Sequence, residues 1–116
     1  MTSEFVHLHN HSDYSLLDGA QKIDQLVNTI DDLNMDAVAL TEHGNMFSVL
    51  PYYKQAKKAG IKPIIGCEIY VAVGSRFEKK TRSDGGWGNN HLILLAQNFT
   101  GYKNLMKLVT AGYLEG

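Results

Sequence analysis

Cysteine is almost missing from this chain: Cys67 stands alone among 116 residues. One thiol cannot close an internal disulfide, which fits a reducing cytoplasm as the expected location. Cys67 itself reads as a small buried apolar residue rather than a metal ligand. Long hydrophobic runs are missing too. The apolar runs, such as residues 63–65 and 69–73, are far too short to span a bilayer. The opening Met-Thr-Ser-Glu-Phe-Val lacks the basic segment and apolar stretch of a signal peptide. Neither sign of charge dominates, since 11 Lys and Arg face 12 Asp and Glu for a net charge of −1. No global field therefore draws the chain to nucleic acid or membrane, and any polyanion contact must be local. There is no internal repeat and no low-complexity tract. The length bounds the chain to one domain at most.

Histidine is what the chain does have. His7, His9 and His11 alternate in Phe-Val-His-Leu-His-Asn-His near the start. Residues 5–11 read as a strand with Phe5 and these three histidines on one face and Val6 and Leu8 on the other. A polar, turn-rich stretch follows from Asn10 to Gly19. Ile23, Leu26, Val27, Ile30 and Leu33 then keep the spacing of an amphipathic helix. Ala37-Val38-Ala39-Leu40 is a short buried strand ending at Thr41-Glu42-His43-Gly44. A second helix is expected over roughly Met46 to Ala59, regular from about Pro51 and stopped by Gly60. A third strand runs from Lys62 to Gly66 and on through Glu68 to Val73. This alternation predicts βαβ units in a parallel sheet or barrel. After the polar, basic segment of residues 74–90, His91 to Ala96 reads as an antiparallel partner of 69–73, with a long loop between them. A last helix is expected from a Thr100 N-cap, carrying Tyr102, Leu105, Met106, Val109 and Tyr113 on one face.

Ligand groups in α/β sheets gather at the carboxyl ends of parallel strands. His9 and His11 end the first strand, His43 the second, and Glu68 lies near the end of the third. His91 opens the next apolar run, where a paired strand brings it beside the others. These nitrogen and oxygen donors suit Zn²⁺, Mn²⁺ or Fe²⁺. A carboxylate such as Glu68 can bridge two ions, a clamp suited to phosphoryl chemistry.

The motifs match a known order. His9-Leu-His11, Ser15-Leu-Leu-Asp18-Gly19, Thr41-Glu42-His43-Gly44, Gly66-Cys67-Glu68 and His91-Leu-Ile-Leu-Leu resemble successive motifs of the polymerase-and-histidinol-phosphatase (PHP) family. Phe5-Val-His-Leu-His, Tyr14-Ser-Leu-Leu-Asp-Gly, Gly60-Ile-Lys-Pro-Ile-Ile-Gly-Cys-Glu and Phe99-Thr-Gly-Tyr-Lys-Asn-Leu resemble one branch, the N-terminal domain of bacterial DNA polymerase III alpha subunits. The resemblance implies an α/β fold, part of a distorted barrel of about seven strands, with a hairpin-like extension around residues 69–96. It implies up to three divalent ions in a complete domain, zinc or manganese with iron as a third choice, and fewer or none in this chain. Carried over by position, His9, His11, His43, Glu68 and His91 are ligands, and Asp18 falls where many members place another. The usual Thr-Asp-His is Thr41-Glu42-His43 here. Later ligands of the family, including an Asp-x-His pair, fall beyond Gly116, so residues 1–116 are expected to be the N-terminal portion of the domain.

Blander readings stand beside these. His7 is expected to pack or to hydrogen-bond a ligand. Asp18 before Gly19 is equally ordinary turn chemistry. Glu42 reads as a solvated or capping carboxylate. Arg76, Lys79, Lys80 and Arg82 could touch a phosphate backbone, although a solvated loop looks the same. Trp87 could stack on a base, on weak evidence. The function expected is a metal-dependent phosphoesterase, a 3′→5′ exonuclease in the intact domain, using a metal-activated water. The rival is a non-catalytic scaffold that stabilises the polymerase or docks a separate proofreading nuclease. DNA and other replicase subunits are the implied partners of the full protein, a DNA-directed DNA polymerase, and the chain by itself is expected to be inactive. A partial barrel exposes a sheet edge, so self-association is expected.

Overall fold

Ile23, Leu26, Val27 and Ile30 of the expected apolar stripe do what their spacing requires, whereas Leu33, its fifth member, is the helix C-cap and exposed. The buried four form one side of α1 (Ile23–Asp32) and pack on β1 (Ala37–Leu40) together with α2 (Val49–Lys58). The computed structural model describes residues 4–78 and 88–116. Beyond α2 come β2 (Lys62–Val71), β3 (Asn90–Leu95) and α3 (Phe99–Leu114). The sheet order is β1-β2-β3, with β1 parallel to β2 and β2 antiparallel to β3. The β2–β3 pairing spans Gly66 to Val71, a slightly longer hairpin than the sequence suggested.

Helix ends follow from local chemistry. Gly60 takes a positive φ of 76° after α2, and the Ile61 N–H returns to the Ala56 carbonyl at 2.9 Å. That closure puts Ile61 into the core. Asn34, at φ 55°, does the same for α1, with Met35 N–H on the Ile30 carbonyl. Pro51 is the third residue of α2, where its missing N–H would have had no partner. The last helix starts earlier than expected. Asn98, not Thr100, is its N-cap and accepts the Gly101 N–H at 3.0 Å. On α3 only Leu105 is fully buried, while Met106 and Tyr113 of the expected stripe are exposed.

The strand expected over residues 5–11 does not form. Ala39 N–H reaches the His7 carbonyl and Thr41 N–H the Asn10 carbonyl, so three residues on one side match two on the other. The Asn10 side chain takes the Ala39 carbonyl at 3.0 Å, and the Asn10 N–H turns to the Thr41 hydroxyl. Side-chain bonds thus replace the regular ladder and interrupt the alternation. One consequence is that His7 is exposed, edge-on to Phe5 with ring centroids 4.7 Å apart. It does not pack in the core, and among the described residues its side chain hydrogen-bonds no ligand candidate.

Val38, Leu40 and Ile65 point to the helix-covered face, with Tyr52 and Ala56 against them. Alternation sends Ala39, Glu68 and Tyr70 to the opposite face. The radius of gyration is 15.7 Å, against about 13 Å for a compact domain of this length. The excess reflects an elongated outline, with principal extents of 52 × 28 × 23 Å.

Candidate metal centre

The β1–β2 register does not stop at Leu40 and Ile65. His43 and Glu68 form a further parallel bridge, with Glu68 N–H on the Glu42 carbonyl and Gly44 N–H on the Glu68 carbonyl. His43 is thereby set directly beside Glu68. On the other side of β2, His91 pairs with Tyr70, so it shares the face of Glu68 two residues away. His9 and His11 arrive from the irregular segment before Ser12. Asp18 arrives from the loop behind a short 3-10 turn, Asp13–Ser15.

Four histidines converge around the Glu68 carboxylate, which is almost wholly buried, and Asp18 joins them through His43. Oε2 lies 3.2 Å from His11 Nε2, 3.9 Å from His9 Nε2 and 2.5 Å from His43 Nδ1. Oε1 lies 2.8 Å from His91 Nδ1. His43 Nε2 is 2.8 Å from Asp18 Oδ2. The His11 and His43 rings stack with centroids 3.8 Å apart. The rim is open: the side chains of His9, Asp18 and His91 are more than half exposed. Buried acceptor below and solvated imidazoles above make a bowl.

Two observations test whether a cation fits. Glu68 Oε2 and His11 Nδ1 are buried, yet neither has a hydrogen bond of good geometry despite the nearby nitrogens. A buried carboxylate left so costs several kcal/mol unless a cation offsets it. Second, the His9, His11 and Glu68 donors stand 3.1, 3.2 and 3.9 Å from one another. Donors sharing one tetrahedral ion with bonds of about 2.1 Å lie about 3.4 Å apart. The residues fit a divalent ion.

Sequence reading missed one member. The Tyr70 hydroxyl lies 3.3 Å from His43 Nδ1, and its ring packs against the His91 ring at 4.9 Å. Gly44 makes room for it: a Cβ there would sit 3.2 Å from the Tyr70 ring, and the φ of 59° also suits glycine. Burial, and then the charges of Glu68 and Asp18, hold the Tyr70 phenol above its ordinary pKa. The two-residue spacing from Glu68 was the available signal.

Glu42 is corrected. It is neither solvated nor a helix cap but buried, with serines around its carboxylate. Arg76 pairs with Glu115 through two contacts at 2.7 and 2.8 Å and lies over the Phe77 ring. Lys79, Lys80, Arg82 and Trp87 fall outside the described residues.

Residues 7–116 match the family profile described as the PHP domain. The chain belongs to the PHP family. Curated relatives include the DNA polymerase III alpha subunits of Borreliella burgdorferi, 58% identical over 98% of this chain, and Treponema pallidum, 54% identical over 97%. That of Aquifex aeolicus is 49% identical over the whole chain. The chain spans about 10% of the length of each. Among solved structures, an amidohydrolase from Chromobacterium violaceum superposes with a TM-score of 0.58 at 20% identity, over 91% of this chain and 34% of that one. A two-domain protein from Bacteroides vulgatus, described as containing a predicted PHP-like metal-dependent phosphoesterase, gives 0.55 at 21%, over 89% and 32%. These likenesses establish the fold, with the sheet and helices above forming part of a PHP barrel. Among the described residues no helix is long and apolar enough to cross a membrane.

Proposed function

We propose that this chain is the N-terminal, ligand-bearing part of the PHP domain of a bacterial DNA polymerase III alpha subunit, and that its centre serves phosphoester hydrolysis. In the intact domain the reaction would be 3′→5′ exonucleolytic cleavage of DNA. The observation that carries the reading is Glu68: one buried carboxylate with an imidazole nitrogen within 3.9 Å from each of His9, His11, His43 and His91. His9, His11, Asp18, His43, Glu68 and His91 would hold the divalent ions, zinc or manganese by donor type, with iron also compatible. When bound, such ions supply a Lewis acid that makes water a nucleophile near neutral pH and offsets charge on the phosphoryl oxygens.

The chain's own residues supply the rest. Glu68 offers its two oxygens to different neighbours, His91 on one side and His9, His11 and His43 on the other, so it can serve two cations at once. Asp18 fixes the His43 ring through Nε2, leaving Nδ1 toward Glu68. The Tyr70 hydroxyl stays protonated and can donate to a phosphoryl oxygen at the rim. The open rim gives a DNA 3′ end access.

Partners follow from the relatives' identity: DNA and the other replicase subunits, in the cytoplasm. The test is nuclease activity of the full alpha subunit on a 3′-labelled strand. His9→Ala and His43→Ala should each abolish metal-dependent cleavage while polymerisation continues. Cleavage indifferent to both substitutions would replace this reading with the scaffold one.

A further inference from the structure

Alternation along the β1 extension turns Glu42 away from His43, toward the helix-covered side, so Glu42 is no ligand of the centre. There it meets a cage of donors. The Ser12 hydroxyl donates to Oε1 at 2.5 Å, the Ser12 N–H lies 3.0 and 3.2 Å from the two oxygens, and the Ser48 hydroxyl donates at 3.2 Å. The Ser15 hydroxyl donates to Oε2 and itself accepts the His43 N–H at 3.1 Å. Ser12 follows His11, and Ser15 begins the loop to Asp18. The Glu42 carbonyl also accepts the Glu68 N–H at 3.0 Å. Four ligand candidates thus sit on segments tied to this one residue.

We propose that Glu42 is a positioning residue of the metal centre: through Ser12 and Ser15 it clamps the loop bearing His11 and Asp18 onto the strand end bearing His43. This rests on the metal-centre reading above. The bland alternative is a satisfied polar group that merely holds the fold. A buried carboxylate is a poor choice for that task alone, because apolar packing of similar volume is usually as stable. The length of the side chain matters as well. Glu42 reaches both Ser12, the N-cap of the 3-10 turn, and Ser15, its last residue. Ser48 even gives its hydroxyl to Glu42 instead of capping α2.

Ser15 and Ser48 separate the two roles. Both are buried and both donate to Glu42, but only Ser15 leads on to His43. The experiment titrates Co²⁺ into the 116-residue chain and its variants, reading affinity and the visible absorption band, with far-ultraviolet circular dichroism confirming the fold. Glu42→Gln and Ser15→Ala should weaken Co²⁺ binding about tenfold or more and alter the band, while Ser48→Ala matches the wild type. Ser15→Ala removes no formal charge, so its effect cannot come from losing the Glu42 charge, and it decides the matter if Glu42→Gln fails to fold. Unchanged affinity and band in Ser15→Ala, or equal weakening in Ser48→Ala, would overturn the proposal while the centre stands. A wild-type chain that takes up no Co²⁺ would overturn the metal-centre reading and this one with it.

Discussion

Glu68 and His91 meet across the β2–β3 hairpin, Oε1 to Nδ1 at 2.8 Å, although 22 residues of sequence separate them. The contact exists because antiparallel pairing sets His91 opposite Tyr70, one pleat from Glu68. It makes the hairpin part of the centre.

Removing the carboxylate should therefore uncouple ion binding from stability. A ligand present at about 100 times its Kd stabilises the folded state by about 2.7 kcal/mol. Saturating Zn²⁺ or Mn²⁺ should raise the melting temperature of the wild-type chain by several degrees, and Glu68→Gln should abolish that rise. A metal-induced rise that survives in Glu68→Gln would show that the ion binds elsewhere.

Tyr52 predicts an alkaline limit. It is fully buried, its hydroxyl donates to the Val38 carbonyl, and burial pushes its phenol well above the ordinary value of 10.0. A raised folded-state pKa means that the unfolded chain loses the proton first. Stability is fully present below pH 10 and falls as the pH climbs through and beyond it. Tyr52→Phe should lose about 1 kcal/mol at pH 8 through the missing hydrogen bond and show a shallower decline above pH 10. Chemical denaturation at pH 8, 10 and 11 checks both slopes.

Cys67 should be inert while the chain is folded. Its side chain is fully buried, and burial first, with nearby carboxylates adding, raises the thiol to about 11. A disulfide reagent at pH 8 should modify less than one thiol in twenty over minutes in buffer, and all of it in denaturant. Rapid native labelling would mean that the β1–β2 layer opens readily.

Much of this was legible in advance. The α1 helix, the Gly60 stop and the β1 and β2 runs follow from periodicity and turn chemistry, and the structure has them. What failed depended on contacts distant in sequence. Residues 5–11 carry a strand pattern, but the Asn10 amide and the Thr41 hydroxyl, 31 positions apart, divert the backbone bonds. Glu42 looked solvated because nothing local announces Ser12 and Ser15 as partners. Tyr70 was overlooked although its spacing from Glu68 placed it on the ligand face.

The sheet edge has a consequence of its own. β3 ends the sheet among the described strands, with Leu92 and Leu95 partly exposed, and α3 shows Leu108 and Leu114 to solvent. Unpaired edge groups and adjoining apolar surface favour pairing with another copy. Light scattering should show a mass that rises with concentration, and Leu92→Lys should suppress the rise. A strictly monomeric wild type at all concentrations would contradict this.

The most direct test of the central claim is the metal content of the purified, desalted 116-residue chain by inductively coupled plasma mass spectrometry, beside a His9→Ala/His43→Ala variant. The account predicts zinc, manganese or iron in the wild type, lost in the variant. The same content in both, or no metal in either, would contradict a metal centre built on Glu68.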